Sequence, residues 1–219
     1  MKTKKVTRRA FLKLCGVGLG ATAVIAVEGC SQRSTPAQEA NVETPTYVFG
    51  QESGASGKIL VGYATRTGST VGVAATIGET LAARGYAVDV KPLKDAPALD
   101  GYRAVVLGSA VNGGQWLPEA VSFVEGQQQA LNRIPVALFC VHIMNLGDDE
   151  SSIKKRLAYL DAQRGLVPPV GEAFFAGMGM NAETASGFER WIYRTFNIGP
   201  EGDCRDWDKI RAWAKTLVL

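Results

Sequence analysis

From Lys58 onward, apolar and polar positions follow two alternating periods. KILVGYA, Lys58–Ala64, is a short unbroken apolar run, the pattern of a strand buried on both faces. Val71, Ala74, Ile77, Gly78 and Leu81 then recur at helical spacing and predict a helix over 68–84, ended by Gly85. YAVDVKPL (86–93) and RAVVLGSAV (103–111) read as the second and third strands. Leu117, Val121, Val124 and Leu131 around Pro118 predict a helix with proline at its first position. IPVALFCVHI (134–143) is a fourth strand, 153–163 a helix and EAFFAG (172–177) a fifth strand. Ile210, Trp213, Ala214 and Leu217 mark a closing helix over 207–217.

Strands alternating with helices predict a parallel sheet with helices on both faces and right-handed crossovers. Open sheets of this kind bind ligands beyond the C-terminal ends of their strands, at the switch point. The residues after the first, third and fourth strands are therefore where chemistry is expected. The connection over 178–203 is unusually long. It carries a helical pattern of its own, with Phe188, Trp191, Ile192 and Phe196 on one face beside Arg190 and Arg194. Such a face either meets a quinone or membrane surface or packs on its own domain.

After the first strand stand Thr65, Arg66, Thr67, Gly68, Ser69 and Thr70. Loop amides, a helix start and several hydroxyls suit a phosphate, with Arg66 as a candidate ion-pair partner. No Gly-Lys-Ser/Thr follows, so this is not a P-loop, and the Gly-x-Gly-x-x-Gly dinucleotide pattern is absent. The alternative is a helix merely capped by Thr67 or Ser69. After the third strand, Asn112, Gly113 and Gly114 form a turn that lets a ligand approach the backbone, and Trp116 offers a flat ring. After the fourth strand comes His142, which either stabilises a reduced anion on a bound ring or is a satisfied polar group. Asp148, Asp149 and Glu150 read as a helix start or as an acidic rim.

Charge and cysteines narrow the function classes. The 219-residue chain has a formal net charge of +3, but residues 1–29 hold six basic residues and one acidic residue. The remainder is net negative, which removes the electrostatic case for a nucleic-acid partner. Cys140 and Cys204 are the only cysteines of the domain, with a bridge between them a minor expectation, and a single histidine argues against a metal site. No Ser-His-Asp or Cys-His arrangement can be assembled, and no catalytic residue is assigned.

Upstream, Lys2 to Lys13 form a basic region containing Arg8 and Arg9, and a glycine-interrupted apolar run follows to Val27. The stretch TRRAFLK resembles a twin-arginine (Tat) signal, and the end, AVEGC, resembles a lipoprotein processing site with Cys30 as the lipidated residue. Cleavage nearby by an ordinary signal peptidase is the alternative. The domain plan is thus 1–30 Tat-type signal segment, 31–57 flexible linker and 58–219 folded domain. The apolar Tyr47, Val48 and Phe49 within the linker are candidates to dock on that domain.

The folded domain resembles the flavodoxin-like proteins through Thr-x-Thr-Gly-x-Thr at 65–70, which is similar to that family's FMN phosphate loop. With GDCRDWDKIRAWA near the C-terminus, it looks most like the branch of menaquinone-dependent protoporphyrinogen oxidases. The resemblance implies a flavodoxin-like three-layer sandwich with a five-stranded parallel sheet in the order 2-1-3-4-5. It implies FMN as cofactor, Trp116 beside the flavin ring with Val111 on the same loop, and electron exchange with a redox partner protein or a quinone. The leader's resemblance implies the Tat machinery, export in the folded state and a place at the cell envelope, held there by lipid on Cys30. FMN is inserted in the cytoplasm, so export after folding explains why a flavin loop follows a Tat-type leader. An electron carrier without a small-molecule substrate and a non-catalytic envelope lipoprotein are the alternative functions.

Overall fold

A computed structural model describes residues 42–50, 57–180, 185–196 and 199–219. The Tat-type segment, Cys30 and most of the expected linker lie outside the described residues. In chain order the elements are β1 (Tyr47–Phe49), β2 (Lys58–Ala64), α1 (Ser69–Ala82), β3 (Ala87–Pro92), β4 (Ala104–Asn112), β5 (Gln115–Trp116), α2 (Pro118–Gly126) and α3 (Gln128–Leu131). There follow β6 (Val136–His142), α4 (Glu150–Leu157), α5 (Asp161–Leu166), β7 (Gly171–Ala176), α6 (Gly187–Phe196) and α7 (Trp207–Thr216).

The five expected strands lie parallel in the expected order, β3-β2-β4-β6-β7. Period-two alternation sends successive side chains to opposite faces, and each face has its own core. Ile59, Val61, Tyr63, Val106, Phe139 and Val141 pack under α1 and α7. Leu60, Val105, Leu107, Leu138 and Cys140 pack beneath α2 and the 3-10 turn at Ala158–Leu160. The α7 helix is seated by Ile210 and Ala214, and Trp213 sets its edge against Phe139 and Phe175 at 6.3 and 5.6 Å.

The edge of the sheet differs from the expected plan. Tyr47–Phe49 pairs antiparallel with β3, so residues of the expected linker extend the sheet by one strand. Tyr63 anchors the arm leading to it by donating its hydroxyl to the Pro45 carbonyl at 2.7 Å. Two long helices are also interrupted. The one begun by Pro118 breaks at Gln127, and the one expected over 153–163 divides around the 3-10 turn. Asp149 caps α4 by accepting from the Ser152 amide at 3.0 Å, and Asp148 pairs with Arg156 at 3.5 Å. The acidic run is therefore a helix start and its brace.

Cys140 and Cys204 are free thiols, not a bridge. Burial pushes the Cys140 thiol up to about 12, against the opposing hydrogen bond from Trp116. Beneath the same face, toward the β3 edge, Asp89 is almost fully buried and receives Lys58 at 2.8 Å, Lys91 at 3.3 Å and the Tyr102 hydroxyl. Burial alone would raise its carboxyl, but these three hydrogen bonds outweigh burial and hold it below the usual carboxylate range.

Candidate functional site

The C-terminal ends of β2, β4, β6 and β7 converge on a cleft of about 420 Å³. Arg66, Thr67 and Ser69 line it from the first loop, and Ala110, Val111 and Asn112 from the end of β4. Val141, His142 and Ile143 line it from β6, and Gly177, Met178 and Gly179 from β7. The cleft thus sits where chain order reverses across the sheet, with β2 and β4 at its centre.

The first loop is built as an open helix start. Gly68 occupies the N-cap position with φ 89°, a left-handed conformation suited to glycine. The Thr65 hydroxyl oxygen accepts from the Gly68 amide at 3.0 Å and closes the turn. No side chain caps α1, so neither Thr67 nor Ser69 plays the capping role. The first amides of a helix find no acceptor within it; here the Val71 amide donates to the Gly68 carbonyl at 3.1 Å, and Ser69, the first residue of α1, lines the cleft. Thr70 is fully buried, and its hydroxyl has no hydrogen-bond partner. A buried, unsatisfied hydroxyl costs about 1–3 kcal/mol. A phosphate oxygen at this loop would relieve that cost.

Sequence reasoning missed two supports of the loop. Arg205, just before α7, donates to the Ser69 carbonyl at 3.2 Å. It is itself fixed by Asp203 at 2.7 Å and lies over the Trp207 ring, 4.5 Å from its centroid. Arg205 sits 136 residues from Ser69, so no local pattern announces the contact. The end of β7 is the other support. A Cβ on Gly177 would stand 2.9 Å from Val141 and 3.4 Å from the Ser69 hydroxyl, so glycine lets β7 close on the loop. The switch-point argument, applied to the fifth strand as to the others, would have found Gly177.

Asn112, Gly113 and Gly114 form a tight hairpin, not a ligand-contacting loop as a whole. Gly113 and Gly114 have φ 60° and 84°, the two positive values of a type I′ turn joining β4 to β5. Only Asn112 of the three reaches the cleft. Trp116 corrects the expectation of a ring-stacking residue. It is 3% exposed within the core beneath α2, and its indole N–H donates to Cys140 Sγ at 3.1 Å. The hairpin reverses the chain within two residues, which turns Trp116 inward. Among the described residues, the cleft lining contains no Phe, Tyr or Trp.

His142 ends β6 and is buried, its ring edge-on to Tyr159 at 5.3 Å. Nδ1 lies 2.7 Å from the Met144 carbonyl, and a carbonyl only accepts, so Nδ1 carries the proton. Nε2 is then a lone pair, buried and without a partner. Burial lowers the imidazole pKa, partly opposed by the Met144 carbonyl, which keeps the ring neutral at pH 7. The expected stabilisation of a reduced anion is thereby corrected: this tautomer offers an acceptor.

The fold and cleft define a doubly wound α/β protein with a switch-point cleft and an uncapped helix start on its wall. The flavodoxin-domain family profile matches residues 60–181, more than half of the chain, and the chain belongs to the flavodoxin-domain family. Among solved structures, oxidised flavodoxin 1 from Bacillus cereus is 14% identical over 74% of this chain and 99% of its own, with a TM-score of 0.46. The flavodoxin of Streptococcus pneumoniae TIGR4 is 13% identical over 72% and 95%, with a TM-score of 0.45. The rubredoxin oxygen:oxidoreductase of Desulfovibrio gigas is 13% identical over 74% of this chain, with a TM-score of 0.41, and the match spans only 35% of that protein. A search of curated proteins finds no match.

Flavodoxin-fold proteins bind FMN, and FMN is the cofactor of this domain. The residues present fit it. Thr65, Thr67, Ser69 and Thr70 surround the uncapped start of α1, and the unpartnered Thr70 hydroxyl suits a phosphate oxygen. Val111, Ile143 and Met178 supply apolar walls for a planar ring.

Proposed function

We propose that this chain is an exported FMN oxidoreductase, lipid-tethered at the cell envelope, that exchanges electrons with a quinone. Bound FMN supplies one- and two-electron redox chemistry. The chain's part is to hold the phosphate at 65–70, wall the ring with aliphatic and thioether groups, and present an acceptor at His142. The observation that carries the flavin reading is the uncapped start of α1, whose Ser69 lines a cleft made by four strand ends, with the unpartnered Thr70 hydroxyl buried one residue further on.

Export rests on the Arg8-Arg9 pattern, and the tether on Cys30. The quinone reading is supported by the apolar rim, where Met144 and Met178 are exposed. The likeness to protoporphyrinogen oxidases is not extended to their substrate, which is made inside the cell and would be separated from an exported enzyme. A carrier serving only protein partners is favoured by one observation: His142 is the only Cys, His, Asp or Glu side chain lining the cleft among the described residues. Steady-state assays separate the two. Reduction of a water-soluble menaquinone analogue by the reduced holoprotein, with saturation, supports the enzyme. Transfer to redox proteins alone supports the carrier.

A further inference from the structure

We infer that the protein sits with its cofactor cleft facing the lipid surface, and that Phe188 and Trp191 enter the bilayer interface beside that cleft. The inference rests on the tethered reading above and adds an orientation and a contact surface to it.

Two separate observations point to the same edge of the sheet. The first is where the N-terminal arm leaves the domain. β1 runs antiparallel to β3, so the residues before it run toward the C-terminal edge of the parallel strands. Pro45 is held there by the Tyr63 hydroxyl at 2.7 Å. Val42 reaches the phosphate loop itself, with its Cγ1 3.8 Å from the position of a Cβ on Gly68. Only eleven residues, 31–41, separate Cys30 from Val42. Fully extended, they span at most about 40 Å. A lipid on Cys30 therefore keeps the cleft edge, where the arm leaves the domain, within about 40 Å of the bilayer.

The second observation is the excursion between β7 and α7. Its two ends are pinched together: the Gly179 amide donates to the Gly202 carbonyl at 2.8 Å, and the Gly202 amide to the Met180 carbonyl at 2.9 Å. A Cβ on Gly199 would lie 3.4 Å from the Ile143 side chain, so the returning strand borders the cleft. This excursion carries α6. On it Phe188 is 67% and Trp191 58% exposed, with their rings stacked 6.0 Å apart. Two large rings stacked in the open, rather than folded onto the domain, suit the interface between headgroups and acyl chains. Met178, at the root of the same excursion, and Met144 are also exposed. The short tether raises the local concentration of lipid, so even a weak two-ring contact is held.

The test uses the exported protein purified from membranes and reconstituted with vesicles of phosphatidylcholine brominated along its acyl chains. Bromine quenches indoles within the bilayer. The chain has four tryptophans, of which Trp116, Trp207 and Trp213 are buried or half-buried. Quenching is expected, and Trp191→Phe should abolish it without changing flavin content. Intact mass of the same sample reports lipid on Cys30 and so scores the tether separately. Cys30→Ser protein mixed with the same vesicles at millimolar lipid should still show weaker, Trp191-dependent quenching. If neither form shows a Trp191-dependent component, the docking surface is refuted whatever the mass at Cys30. Protection of Trp191 from aqueous acrylamide only on adding a soluble redox protein would refute it equally, in favour of a protein partner.

Discussion

Thr70→Val separates the stability of the domain from its affinity for FMN. Valine keeps the branched shape and removes only the hydroxyl. In the free protein that hydroxyl is fully buried and unpartnered, so its loss removes a desolvation cost without breaking a bond. The apoprotein should melt at the same temperature or higher, a gain of up to about 3 kcal/mol. If Thr70 belongs to the phosphate cradle, its hydroxyl donates to a charged phosphate oxygen in the complex, a bond worth roughly 1.5–3 kcal/mol. The dissociation constant for FMN should rise roughly 10- to 150-fold. Riboflavin lacks the phosphate, so its affinity should not change. Thermal melts of the apoprotein and flavin-fluorescence titrations with both ligands measure the three quantities. An apoprotein destabilised by more than about 1 kcal/mol with unchanged FMN affinity would show that Thr70 is a packing residue and not part of a phosphate cradle.

Other consequences are equally direct. Asp89 has a folded pKa below its unfolded value of about 3.9, so its stabilisation is complete above that pH and is lost as pH falls through the folded value. Asp89→Asn should flatten this acid limb in urea melts taken across pH, whereas an unchanged limb assigns the slope to other carboxylates. His142 also has a lowered pKa, so stability should fall as pH drops below about 6.5, because the unfolded chain takes up a proton that the folded one resists. His142→Gln should remove that slope, and NMR titration showing an imidazolium at pH 7 would contradict the neutral tautomer. Replacing Arg8 and Arg9 together by lysine should retain the precursor in the cytoplasm, and Cys30→Ser should release the mature protein from membranes. Unimpaired export or persistent membrane attachment would count against the Tat and lipid readings respectively.

The strands were legible because the central ones are buried on both faces and show it as unbroken apolar runs, the parallel arrangement because strands alternate with helices, and the order because the chain resembles a known family. Lys58–Ala64 and Val136–His142 are the clearest cases, buried at nearly every position. The loop at 65–70 was legible as a strand-to-helix turn for a different reason: hydroxyls and a glycine between a strand and a helix leave a local mark. Trp116 was misread because composition cannot say which way a side chain turns after a two-residue hairpin. The helix breaks at Gln127 and around Ala158–Leu160 escaped notice because the apolar spacing continues across them. β1 is only three residues long and sits among polar neighbours, so its edge pairing is set by partners distant in sequence. Arg205 braces Ser69 by a purely tertiary contact, which periodicity does not encode.

The most direct measurement is the visible absorption spectrum of the purified protein, followed by titration of FMN into whatever apoprotein remains. A flavin spectrum with one FMN per chain, released by acid and replaced by added FMN but not by added inorganic phosphate, is the predicted result. A colourless protein that leaves the fluorescence of added FMN unchanged would contradict the assignment of this cleft.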